Sequence, residues 1–569
     1  MITRTTWISG LIAAVVYLSG CGGDTNDFVS DIDESDLDGV RTLSIGISQY
    51  PSTLHPNIEN MLAKSYVLGM ATRPLTRYNP KWELECALCV VLPTLENGLA
   101  VLEETPDGKP GMAVTFEIPA DARWGDGVEV TSRDAQFTWE VGRHPLTGAN
   151  GMEFYRSVYE VELLDEKRFT FHIDRRTFTY NAAGGFYLLP EHIDREVFEA
   201  SPKEYMHRTT YDADPTNPGL YYGPYLVKEA ARGSHVTLKR NPFWYGKTPY
   251  YDRIRIRTIE RTTTLEANLL SGNIDMIAGE LGMQIDQALA FEKRHGDKFK
   301  VIFKPGLQYE HIDLNLENPI LADKRVRKAL LHAIDREMIN QQLFAGKQPV
   351  AHTSVNPLDR AFTPNVARYD YDLDRAAALL EEAGWTFAGG DVRQNAAGEA
   401  LRIELMSTAG NRTRELVEQV LQRQWREIGI DIRIKNEAPR IFFGETVRKR
   451  KFTGMAMYAW SSAPEAVPRG TLHSSQIPVA ENNYRGLNYT TFSNPEMDQL
   501  IEDVENELDP EKRLPLWYRI QEIYAEELPV LPLYFRANAF IQPPWLDGLV
   551  PTGHFQQSTL WIEDWKPTE

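Results

Sequence analysis

The chain has 569 residues, 42% hydrophobic and 25% charged, with 61 Lys+Arg against 80 Asp+Glu and a formal net charge of −19. So acidic a balance argues against nucleic acid as a partner and against adhesion to anionic lipid, because both need a basic face. Three cysteines exclude a disulfide-dense scaffold and 11% aromatic residues exclude disorder throughout, which leaves a large globular protein of roughly two to four domains.

Met1–Cys21 reads as an export signal: Arg4 is its only charge, and the apolar run from Trp7 to Gly20 is shorter than the roughly 20 residues a spanning helix needs. Leu18-Ser19-Gly20-Cys21 resembles a bacterial lipobox, so Cys21 is the expected lipidation site. Residues 22–40 are rich in Asp and small polar residues and are expected to form a flexible acidic tether, with no EF-hand spacing. The mature chain is therefore expected to be anchored to a membrane by lipid, on the periplasmic side or the cell surface.

Cys86 and Cys89 form a CxxC. In an exported protein this is a disulfide candidate; thioredoxin-like context and further zinc ligands are both lacking, and free thiols stay open. Farther along, Val114/Phe116/Ile118, Phe169/Phe171/Ile173, Ile254/Ile256 and Leu401/Ile403/Leu405 alternate as half-buried strands. Asp323 is expected to cap one helix whose inner face carries Val326, Ala329, Leu330, Ala333 and Ile334, with Gly346 near its end. Helices are also predicted over Arg375–Ala383, after Asn411 as far as Gly429, from Pro495 and from Pro510. The last ends before Leu528–Tyr534. Strands and helices interleave, so the class is mixed α/β.

The common enzyme motifs HExxH, GxSxG and GxGxxG are absent, and Gly246-Lys247-Thr248 lacks the upstream glycine of a phosphate loop. No metal-ligand spacing stands out among the 12 histidines, so neither a metal nor any other cofactor is expected. Aromatic residues in turn-rich places, such as Trp124-Gly-Asp-Gly127 and Tyr458-Ala-Trp-Ser461, suit a cleft for an extended organic ligand.

Four stretches in order carry a family likeness: residues 114–139, with Arg123-Trp-Gly-Asp-Gly127; Gly223-Pro-Tyr-Leu-Val227 with Leu238–Gly246 and Leu269–Met276; Leu314-Asn315 with Asp323–Arg336; and Tyr371–Trp385. Together they resemble the solute-binding proteins of ABC importers, family 5, the peptide, dipeptide and nickel binders. The likeness spans about Arg41–Trp561. It implies a two-lobed, type II periplasmic binding protein-like α/β fold with an extra α/β domain in lobe I. Lobe I would comprise 41–77, 204–304 and 529–569, the extra domain 78–203, and lobe II 305–528. The crossings between lobes would lie near Phe303–His311 and Leu528–Phe535 and act as a hinge that closes over the ligand.

The implied function is an extracytoplasmic, non-enzymatic lipoprotein that captures peptides and passes them to ABC permease subunits driven by a cytoplasmic ATPase, working as a monomer. An oligosaccharide or another small solute, or a receptor or chaperone role without transport, are the alternatives. By the same resemblance the ligand is held along Gln49, Tyr50 and Pro51 on one side and Tyr458, Ala459, Trp460 and Ser461 on the other, with Asn315 and Tyr534 as further candidates. Many peptide-binding members have an amine-pairing Asp three residues after the cleft Trp. This chain has Ala463 there, and Glu465 is the expected substitute.

Overall fold

The computed structural model describes residues 39–568. The export signal, Cys21 and nearly all of the acidic tether lie outside the described residues. Ten of the strands join in one sheet. Counting these alone, they are β1 (Thr42–Ile47), β2 (Tyr225–Ala231), β3 (His235–Arg240), β4 (Arg253–Thr258), β5 (Met276–Ile277), β6 (Lys300–Leu314), β7 (Arg402–Met406), β8 (Asp431–Ile434), β9 (Met455–Ser461) and β10 (Val530–Gln542). Their spatial order is β8-β7-β9-β6-β10-β5-β1-β4-β3-β2.

The middle of the sheet is the long antiparallel pair β6 and β10, running from Lys300 opposite Gln542 to Asp313 opposite Val530. Its register breaks between Pro305 and Tyr309 and again between Glu310 and His311. Pro305 has no N–H to give the ladder, and the Leu307 N–H donates instead to the Gly553 carbonyl at 2.9 Å. Gly306 is required here, since a Cβ would stand 2.4 Å from the Gly553 oxygen. On either side of the central pair lie parallel strands: β1 pairs in parallel with β4 and β5, and β7 with β8 and β9.

A second, four-stranded antiparallel sheet joins Ala100–Glu104, Pro110–Glu117, Arg168–Ile173 and Val158–Leu163 in that order. Its inner face packs Val114, Phe116, Phe169 and Phe171, and each such buried side chain stabilises the fold by roughly 1.5–3 kcal/mol. Two other large cores are separate from it. One gathers Leu43, Ile45, Val227 and Ile256; the other gathers Ile312, Leu330, Leu421 and Ile432. Cys86 and Cys89 are joined as a disulfide beside the short hairpin Thr76–Tyr78/Leu84–Cys86.

Local capping sets the starts of several helices in the second half of the chain. The Asp372, Asn411, Asn494 and Asp509 side chains accept N–H groups of the helices Leu373–Glu382, Arg412–Glu427, Pro495–Asn506 and Pro510–Glu527. The single helix expected after Asp323 is in fact two, Lys324–His332 and Arg336–Phe344. Asp335 stops the first by capping the second, accepting the Met338 N–H at 2.8 Å. Ala333 and Ile334 are buried at the break, so the apolar stripe continues through it.

Candidate ligand-binding cleft

In open α/β sheets, ligands lie beyond the carboxyl ends of the strands where the strand order reverses. That rule places Ser48 and Gln49 after β1, Glu280 after β5 and Ser461 at the end of β9 around one space. They line a cavity of about 690 Å³ together with Gln308, Glu310, Arg414, Tyr534 and Arg536. A second cavity of about 470 Å³ shares Leu307, Ser461 and Ser462 with it and is walled by Trp460, Ala463, Glu465, Asp359 and Trp517. A third, of about 390 Å³, shares Asn60, Ser65, Phe555 and Gln557 with the first. The three adjoin along common walls.

Strand alternation sorts the central residues between the first two cavities. Tyr309 stands opposite Trp460 and Phe535, and these side chains pack together on one face, where Tyr309 and Trp460 line the second cavity. Glu310 stands opposite Ala459 and Tyr534, and its face carries Gln308, Ser461 and Arg536 toward the main cavity. Glu310 is 2% exposed and fully engaged. Arg414 Nε donates to its Oε1 at 2.5 Å, Arg414 Nη2 to its Oε2 at 3.4 Å, and Arg536 Nε lies 3.8 Å from Oε2. The remaining Arg414 donor, Nη1, bonds Thr408 Oγ1 at 3.0 Å.

In the second cavity the Glu465 N–H donates to Asp359 Oδ2 at 2.9 Å, and the Ala361 N–H to Oδ1 at 2.9 Å. Burial, with the neighbouring Glu465 charge adding to it, pushes the Asp359 carboxyl up to about 6. Glu465 Oε1 sits 3.7 Å from Arg513 Nη2, a cation whose pKa burial depresses. Two carboxylates thus face the space beside Trp460, with the Arg513 guanidinium behind Glu465. The third cavity is shaped by Lys64, 3% exposed, whose ammonium donates to the carbonyls of His55, Pro56, Ile58 and Glu59 at 2.5–3.0 Å. Burial lowers its pKa to about 8.

The sequence-predicted contacts divide. Gln49, Ser461 and Tyr534 line the main cavity; Trp460, Ser461 and Glu465 line the second. Tyr458 is buried, with its hydroxyl donating to Asp313, and reaches only a small void of about 50 Å³. Ala459 contributes ladder hydrogen bonds. Tyr50 is half-buried against the first core and Pro51 is buried; neither lines any of these cavities. Asn315 lies off the cleft, donating to the Phe452 carbonyl at 2.9 Å and accepting from the Glu317 N–H at 3.0 Å, which makes it a turn residue after β6. Sequence reasoning missed Asp359, Glu280, Arg536 and the Glu310–Arg414 pair. For Glu280 a signal exists: a lone charge between Gly279 and Gly282, directly after a strand.

Comparison with known proteins places this geometry. The sequence pattern of bacterial extracellular solute-binding proteins, family 5 Middle, matches residues 62–476. The chain is 26% identical to the oligopeptide-binding protein AppA of Bacillus subtilis (strain 168), over 99% of this chain and 98% of that one. Among solved structures, the oligopeptide binding protein from Thermus thermophilus, complexed with pentapeptide, is 30% identical with a TM-score of 0.68, covering 91% of this chain and 95% of the other. The structure of AppA from Bacillus subtilis in complex with a nonapeptide has a TM-score of 0.68 at 24% identity, covering 93% and 99%. The fold is accordingly the two-lobed, type II fold of periplasmic binding proteins. No helix among the described residues is long and apolar enough to cross a membrane. With the family pattern matched over most of its length, the chain belongs to the bacterial extracellular solute-binding proteins of family 5.

Proposed function

We propose that the protein captures peptides in this cleft and delivers them to the permease subunits of an ABC importer, whose cytoplasmic ATPase drives uptake. Its role is capture without catalysis, as a monomer held to the membrane by a lipid on Cys21. The observation that carries the peptide reading is the run of adjoining cavities with carboxylates at Asp359 and Glu465 beside Trp460. A zwitterionic chain laid through it would set its ammonium against the first pair and its main chain along the sheet residues Gln49 and Ser461. In this reading Asp359 and Glu465 together supply the charge that Ala463 does not.

Lobe I would comprise 41–77, 204–304 and 529–569, with the further domain over 78–203 and lobe II over 305–528; most of the core around Ile312 falls within lobe II, while Phe137, Val141 and Leu189 of the further domain pack into the lobe I core. The hinge would be the β6–β10 pair, where Pro305 interrupts the ladder. The names of the relatives, both oligopeptide-binding, point to the same ligand class.

Thermal unfolding of the purified protein with free and N-acetylated peptides tests this. A ligand at 100 times its Kd adds about 2.7 kcal/mol to the native state. Free peptides are expected to raise the melting temperature, with acetylated ones weaker. No rise with any peptide pool would overturn the reading. Metabolic labelling with a radioactive fatty acid, lost in Cys21→Ser, tests the anchor.

A further inference from the structure

The main cavity holds one carboxyl that the fold answers only in part, and burial raises its pKa. Glu280 follows β5, where the parallel pairing with β1 ends, and lines the same cavity as the Glu310 network. The Ser558 N–H donates to its Oε1 at 2.9 Å. Its other oxygen, Oε2, is buried and has no hydrogen-bond partner among the described residues. A carboxylate in that state is costly, because a buried acceptor without a donor forfeits its hydration with nothing in return.

It is not alone. Gln557, 6% exposed, lines the same cavity; its Nε2 donates to the Phe555 carbonyl at 2.9 Å, and its Oε1 has no partner among the described residues. Two nearby hydroxyl donors, that of Tyr66, which feels the Glu280 charge, and that of Ser558, likewise make no hydrogen bond among the described residues. Two unmet acceptors, one of them anionic, line a space large enough for a side chain. What satisfies both is a group with several N–H donors and a positive charge. A neutral amide would answer the hydrogen bonds and leave the charge buried.

We propose that Glu280 and Gln557 form a subsite for a cationic side chain of the ligand, a lysine ammonium or an arginine guanidinium, so that the protein favours peptides with a basic residue. This rests on the peptide reading above. That reading assigns the ligand's amino terminus to Asp359 and Glu465 in the adjoining cavity, which leaves Glu280 to a side chain farther along. The commonest opposite design, an acidic side chain drawn to Arg536, is disfavoured because Arg536 already faces Glu310.

Calorimetric titration of the purified protein with alanine-based pentapeptides decides the matter. Lysine is placed at each internal position in turn, beside the matched acetyl-lysine peptide, and arginine beside citrulline. At one position the charged member is expected to bind about tenfold or more tightly than its neutral isostere. In Glu280→Gln that preference is expected to vanish, with cooperative thermal unfolding of the variant showing that it is folded. Peptides that bind without any charged preference, or a preference that survives in Glu280→Gln, overturn the subsite and leave the peptide reading intact. If N-acetylation of an uncharged peptide weakens binding to the wild type but not to Glu280→Gln, then Glu280 meets the amino terminus and the side-chain assignment is wrong. Failure of every peptide to bind the wild type removes both readings.

Discussion

Two carboxylates face the same main cavity and meet opposite treatment. Glu310, on β6, is held by two nitrogens of Arg414 with Arg536 close by, and Thr408 takes a further Arg414 donor. Glu280, after β5, has one oxygen met by a backbone N–H and the other met by nothing among the described residues. A satisfied buried network fixes the shape of a wall and has little left to offer a ligand. An unsatisfied group costs stability in the empty protein and returns it on binding. One wall is built to hold still, the other to be completed.

That contrast can be broken first at the strong wall. Arg414→Met strands Glu310 as a buried charge and is expected to lower the unfolding free energy by about 3–5 kcal/mol, measured in urea. Adding Glu310→Gln should restore much of the loss; if the single variant is as stable as the wild type, the wall is not a locked network. Lys64→Met tests the same principle with a single cation, since it deprives the carbonyls of residues 55, 56, 58 and 59 of their donor. A loss of about 1–3 kcal/mol is expected, with faster amide exchange confined to that loop.

The third test is pH dependence at Asp359. Its carboxyl is raised to about 6 against about 3.9 in an unfolded chain. The folded protein therefore binds the extra proton between those values, so this group's contribution to stability is present below about 4 and is lost as pH rises through about 6. Binding a ligand ammonium demands the ionised form, so affinity for a free-amine peptide should fall by up to about tenfold per unit as pH drops below 6, and Asp359→Asn should flatten that profile. A profile unchanged by the substitution would remove Asp359 from the amine site. The smallest effect belongs to the weak wall: Glu280→Gln is expected to stabilise the empty protein by about 1 kcal/mol or less. A clear loss of stability instead would mean that Glu280 is a structural anchor like Glu310.

What could be read ahead of the structure depended on how far apart the interacting residues lie in the chain. Asn411 and Asn494 act on N–H groups two or three residues away, and their helices begin where the sequence suggests; Asp372 also acts locally but starts its helix at Leu373, ahead of the expected Arg375. Asp335 works equally locally, but the buried Ala333 and Ile334 carry the stripe past it and hide the break. The family likeness supplied Trp460 and Glu465. Nothing local marks Asp359, whose carboxylate meets Glu465 across 106 residues, or the partnership of Glu280 with Ser558 across 278. Asn315 shows the converse: a polar residue in a family motif whose work is to close a turn.

The place of β10 in the sheet has a bearing on the order in which the protein can be completed. Its partners β5 and β6 are made more than two hundred residues earlier, yet they reach one another's half of the sheet only through it. Until Val530–Gln542 arrives, both β5 and β6 present open edges, the kind that invite pairing with another chain. As synthesis proceeds, each flank can gather only part of its core, because Ile562 and Trp565 of one and Leu531 and Leu533 of the other arrive with the last tenth of the chain, as does the seam between them. Late closure of so central a seam means that damage in β10 would reach two places at once, the join between the flanks and the cleft wall that Tyr534 and Arg536 line.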